Sequence, residues 1–145
     1  IMQLRDRGKL SLDDRIVRWV PELRQVHDPY GMIDSITIRM LLSHSAGFQN
    51  PTWPYSKGRP WEPCEPTTWN QLVAMMPYQV LVFRPGAQFG YSNPGYIYLA
   101  RVIEQISGDP WETYVQKHLF SPLRLELLQR IVRACARAAP YRSSA

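Results

Sequence analysis

The sequence predicts a mostly helical domain, five or six short helices joined by proline-rich loops. Leu99, Val102, Ile103 and Ile106 recur at i, i+3, i+4 and i+7, the stripe of an amphipathic helix. Threonines, aspartates and glycines stand where helices start and stop. No segment alternates apolar and polar residues long enough to define a strand. Val80, Leu81, Val82 and Phe83 are apolar, but Arg84-Pro85-Gly86 turns the chain at once.

Residues 1–8 read as the end of a helix, with Ile1 and Leu4 as its apolar edge and Gly8 as a left-handed cap. Residues 10–14 are expected to open a short helix, with Asp13 and Asp14 at its positive end and Pro21 as its stop. Ile16, Val17 and Val20 are its buried side. Asp28-Pro29-Tyr30-Gly31 is a turn tetrad. Thr37 is positioned to cap a helix bearing Met40, Leu41 and Leu42, which Gly47 would close. Thr67 or Thr68 begins a helix running to Met76, stopped by Pro77. Gly108 ends the Leu99 helix. Asp109-Pro110-Trp111-Glu112 then has the pattern of an acidic cap, a first-turn proline and a capping-box glutamate. Trp111, Tyr114, Val115 and Leu119 would form the buried stripe of that last helix.

Residues 49–66 differ in character. Pro51, Pro54, Pro60, Pro63 and Pro66 are interleaved with Trp53, Tyr55 and Trp61. Such a stretch excludes a long helix or an inner strand. It is a rigid surface loop held by its aromatics, a wall over a cleft, in which case Trp61 is a candidate substrate contact, or, less fitting because the spacing is no clean PxxP repeat, a proline-rich peptide ligand.

The composition is that of a globular chain, 45% hydrophobic and 20% charged over 145 residues. No apolar run approaches the roughly 18 residues of a membrane span, and residues 1–12 have no signal-peptide pattern. The formal charge of +5 is concentrated at one end: Arg124, Arg130, Arg133, Arg137 and Arg142 face Glu126 alone, and the preceding residues are close to balanced. No nucleic-acid motif accompanies the basic tail. Cys64 and Cys135 form no disulfide framework, and His27, His44 and His118 have no metal-site spacing, so neither a metal nor another cofactor is expected.

The stretch most suggestive of chemistry is Tyr91-Ser92-Asn93-Pro94, where a loop passes into the Leu99 helix. The spacing puts a phenol and a carboxamide side by side. A phenol titrates near pH 10 and handles protons at neutral pH only beside a cation that favours its ionised form. Two readings stand: Tyr91 as a proton shuttle with Asn93 as a substrate clamp, or Tyr91 as a core aromatic with Asn93 as the helix N-cap. Ser43-His44-Ser45 resembles a serine–histidine pair, but neighbours on a helix do not face each other, so the block reads as structural.

Blocks at residues 4–14, 36–47, 84–96 and 106–123 follow one another as Leu-Arg-Asp-Arg-Gly-Lys-Leu-Ser-Leu-Asp-Asp, Ile-Thr-Ile-Arg-Met-Leu-Leu-Ser-His-Ser-Ala-Gly, Arg-Pro-Gly through Tyr-Ser-Asn-Pro-Gly-Tyr, and Ile-Ser-Gly through Phe-Ser-Pro-Leu. In this order they resemble the serine β-lactamase-related family: class C β-lactamases, penicillin-binding DD-peptidases and similar esterases. The resemblance covers residues 1–123 and implies the helical lobe of an α+β fold, with most of the antiparallel sheet outside this chain. It also implies acyl-enzyme hydrolysis of an ester, β-lactam or peptidoglycan-type amide. In that family a serine and lysine in S-x-x-K supply the nucleophile, a Y-x-N motif shares the proton work and holds substrate, and K-T-G or H-x-G seats the substrate. Tyr91 and Asn93 match the second motif; the sequence contains neither of the others. The expectation is therefore a fragment inactive by itself, with a non-catalytic binding module or a gene remnant as the alternatives. Family members are often periplasmic or secreted; this sequence does not assign a compartment. Residues 124–145, Arg/Ala-rich, read as a tail unrelated to the family, of the kind a shift of reading frame produces.

Overall fold

A computed structural model describes residues 1–48, 66 and 68–125. Its α-helices are α1 (Met2–Asp6), α2 (Ile38–Leu42), α3 (Trp69–Met75), α4 (Asn93–Ser107) and α5 (Trp111–Val115). Between them lie 3-10 turns at Ile16–Arg18, Pro21–Gln25, Ile33–Ser35 and Met76–Tyr78, and a π-helical turn, Gln116–Phe120, continues α5. Among the described residues, strand-like pairing is limited to isolated bridges: Arg15 with Thr37, His27 with Val80, and Phe48 with Leu81.

The amphipathic stripe of α4 is the centre of the core. Tyr98, Leu99, Val102 and Ile103 are buried, joined by Ile16, Val20, Leu23, Ile36, Ile38 and Leu41 from the first third of the chain. Burying an aliphatic side chain of this size contributes about 1.5–3 kcal/mol. Tyr98 is fully enclosed, its ring edge-on to Phe48 with centroids 5.1 Å apart. Its hydroxyl donates to Gln79 Oε1 at 2.7 Å. Burial pushes the Tyr98 phenol well above its usual range, and the Gln79 hydrogen bond only partly opposes that.

Several expected caps hold. Thr37 Oγ1 accepts from Met40 N at 3.3 Å. Thr68 and Gln71 form a reciprocal capping box on α3. Gly8 and Gly108 take φ of 68° and 74°, ending α1 and α4.

Other caps are replaced by tertiary partners. Residues 10–14 form turns instead of opening a helix: Asp14 Oδ2 accepts from Ser11 N at 2.7 Å, and Asp13 is taken by Arg39 through two hydrogen bonds. Pro21 starts a 3-10 turn where it was expected to stop a helix. Asp109 binds Lys117, and Glu104, a full turn back on α4, accepts from Trp111 N at 3.1 Å. The capping box expected at residues 109–112 is thereby displaced. Tyr114 and Val115 are buried as expected, whereas Trp111 and Leu119 are exposed. Trp111 instead forms part of the wall of an apolar groove of about 580 Å³ along α4, shared with Ile1, Met2, Leu42 and Ile97. No helix among the described residues is long and apolar enough to cross a membrane.

α2 ends at Leu42, short of Gly47, and Gly47 has a different task. Its φ is 89°, and a Cβ there would lie 2.4 Å from the Phe83 carbonyl oxygen. This close approach lets Val82 N donate to Gly47 O at 2.9 Å.

Gly47→Ala should destabilise the chain by at least about 2 kcal/mol, because it adds left-handed strain to a backbone clash; urea unfolding measures it. Tyr98→Phe should cost about 1–3 kcal/mol, since Gln79, buried and with Nε2 already unpartnered among the described residues, loses its Oε1 partner too. The unfolded phenol ionises from about pH 10 and the folded one does not. The stability tied to Tyr98 is therefore complete below that pH and is lost as pH rises, and alkaline unfolding should be less steep in Tyr98→Phe.

Candidate active site

The Tyr91 segment is set by a seam between two loops. Beyond α2 the chain turns at His44, which has φ of 55°. Residues 45–48 then run beside residues 81–90. Gly86 N donates to Ser45 O and Gly90 N to His44 O, both at 2.8 Å, and Phe48 bridges Leu81. The seam delivers Tyr91 to the start of α4, where Pro94 pre-sets the first-turn backbone and is buried.

Here the Tyr91 hydroxyl donates to Asn93 Oδ1 at 2.7 Å. The two side chains expected from the sequence to act together are therefore in direct contact. Tyr91 is 56% exposed, so the reading of this residue as a core aromatic is not what the structure has. Nor is Asn93 the N-cap: Ser92 occupies that position in extended conformation, and Asn93 is the first residue of the helix. Ser92 itself is buried, its Oγ without a hydrogen-bond partner among the described residues.

The side chain that the sequence reading assigned to a structural block, His44, lies against this pair. Its ring lies 4.7 Å from that of Tyr91, 5.0 Å from Tyr96 and 5.8 Å from Phe89. Its Nδ1 accepts from Ser92 N at 3.3 Å. Ser43 and Ser45, flanking it, meet each other through their hydroxyls at 2.9 Å. The block is thus a turn beyond the helix end, and His44 makes no hydrogen bond to either serine hydroxyl. A positive-φ histidine 48 residues from its partner has no local sequence signature.

Trp61, with Trp53 and both cysteines, lies outside the described residues. Among the described residues no cation contacts Tyr91; Lys117 is held by Asp109 at 2.7 and 2.8 Å. No group of His, Cys, Asp and Glu suited to a metal ion occurs among them. The apolar groove includes Tyr96 in its walls but neither Tyr91 nor Asn93.

The family model described as Beta-lactamase matches residues 1–129, and the chain belongs to the serine β-lactamase-related family. It is 30% identical over 125 residues to penicillin-binding protein 4* of Bacillus subtilis (strain 168), covering 84% of this chain and 25% of that protein. Among solved structures, a D-stereospecific amidohydrolase from Streptomyces sp. superposes with a TM-score of 0.66 at 30% identity, covering 86% of this chain and 38% of that one. EstCE1, a hydrolase with promiscuous acyltransferase activity, gives a TM-score of 0.65 at 30% identity, with 84% and 33% covered. The chain thus spans between a quarter and two fifths of the length of these three relatives.

Because Tyr91 is exposed and its hydroxyl bonds, among the described residues, to the neighbouring Asn93, Tyr91→Phe should leave unfolding free energy within about 0.5 kcal/mol of the parent. Urea titration beside Tyr98→Phe separates the exposed phenol from the structural one.

Proposed function

We propose that this chain supplies the proton-handling phenol and the substrate-holding carboxamide of an acyl-transfer centre, with Tyr91 and Asn93 in those roles. The observation that carries the proposal is their 2.7 Å hydrogen bond on an exposed face at the mouth of α4. A hydroxyl that only filled the core would be enclosed, as Tyr98 is. Family membership and the names of the relatives, an amidohydrolase, a hydrolase with acyltransferase activity and a penicillin-binding protein, support the reading.

The reaction is hydrolysis of an ester, β-lactam or peptidoglycan-type amide through an acyl-enzyme. A serine oxygen bonds to the carbonyl carbon, and its proton passes by way of Tyr91 to the departing alkoxide or amine. Water then adds to the acyl carbon and releases the acid, restoring the serine. Asn93 accepts from the phenol through Oδ1, and its carboxamide takes the role of holding a substrate carbonyl or a lysine. No S-x-x-K, K-T-G or H-x-G occurs in the 145 residues. On this reading the serine, the lysine that favours the phenolate, and most of the sheet reside outside them. Residues 1–123 then form the helical lobe, residues 124–145 take no part in the site, and Trp61 is a substrate contact.

The purified chain should not turn over nitrocefin or p-nitrophenyl esters. A chimera in which these residues 1–129 replace the matching stretch of penicillin-binding protein 4* should do so, and Tyr91→Phe in it should reduce kcat at least about 100-fold. Turnover by the chain alone, or a chimera indifferent to Tyr91→Phe, would refute the proposal.

A further inference from the structure

We infer that His44 is the positioning residue of the Tyr91–Asn93 pair, acting through an unprotonated Nδ1 that holds the Ser92 amide. The inference rests on the reading of Tyr91 and Asn93 as the working pair. Four observations converge on it. Ser92 lies between the two side chains and is the N-cap of α4, so its N–H has no partner within the helix. That N–H points to His44 Nδ1 at 3.3 Å. The imidazole is packed among Tyr91, Tyr96 and Phe89, with the Tyr96 ring nearly parallel at 29°. Finally, the backbone of His44 has φ of 55°, a conformation uncommon for residues other than glycine, though histidine tolerates it better than most, and kept where surrounding contacts support it.

Together these fix a tautomer. A nitrogen that accepts an amide N–H carries no proton, so neutral His44 bears its hydrogen on Nε2. The ring then does two jobs: it holds the Ser92 backbone, which sets where Tyr91 and Asn93 leave the chain, and it braces one face of the Tyr91 ring. His44 thus acts on the pair through the Ser92 backbone and the Tyr91 ring.

The two jobs separate by substitution. His44→Phe keeps an aromatic ring and removes the acceptor. His44→Asn removes the ring, tolerates positive φ, and places Oδ1 close to where Nδ1 was. In the 145-residue chain, nitrogen NMR of neutral His44 should show a bare Nδ1 and a protonated Nε2. Ser92 amide exchange should accelerate at least about tenfold in His44→Phe and return to within about threefold of the parent in His44→Asn. The Tyr91 ring resonances should move with the Ser92 amide. A purely space-filling role would give the reverse order, with Phe conservative and Asn disruptive. A protonated Nδ1, or a Ser92 amide unaffected in His44→Phe, would overturn the inference; the nitrogen shifts decide alone if the Phe variant does not fold. None of these readouts involves turnover. A Ser92 amide held by Nδ1 beside a catalytically idle Tyr91 would therefore support the positioning role while overturning the acyl-transfer reading.

Discussion

The contact on which the rest of the molecule depends is the seam between residues 44–48 and 81–90. Two positive-φ residues make it possible, His44 at 55° and Gly47 at 89°. Without the first, the chain leaving α2 would not turn back; without the second, it would not approach the Phe83 carbonyl. The seam hydrogen bonds, from Val82 to Gly47, Gly86 to Ser45 and Gly90 to His44, satisfy loop backbone groups that no regular strand satisfies here. They also fix the end of the second loop one residue before Tyr91. The position of the phenol is thus a property of two loops far apart in sequence and not of α4 alone.

Tyr91 and Tyr98 place the same side-chain pairing in two different surroundings. Both donate a 2.7 Å hydrogen bond to a carboxamide oxygen. Tyr98 does so inside the core, where burial keeps its proton in place and its loss would orphan Gln79. Tyr91 does so at the surface, 56% exposed. The same pairing of phenol with amide is enclosed in the core in one case and lies on an exposed face in the other.

What could be read from the sequence was what is local. The stripe of α4, the threonine cap of α3 and the glycine stops at Gly8 and Gly108 depend on residues within a turn or two of one another. The caps that failed were taken over by distant or out-of-register partners: Arg39 for Asp13, Lys117 for Asp109, and the Glu104 carboxylate in place of Glu112 at the start of α5. The exposure of Trp111 belongs to the same class, since the stripe of α5 says which residues share a face but not what packs against it. For the site, the Tyr-x-Asn spacing announced the pair, while the reason it sits where it does, His44, was hidden by sequence separation. The bridges of the seam are single residue pairs, too short for any periodicity to reveal.

The most direct test of the seam is amide hydrogen exchange at Val82, Gly86 and Gly90 in the intact chain. If the seam sets the site, these three amides should exchange within about tenfold of the slowest in α4. Exchange at the rate of an unstructured peptide while α4 remains protected would contradict the account, because the phenol and its carboxamide would then have no fixed place.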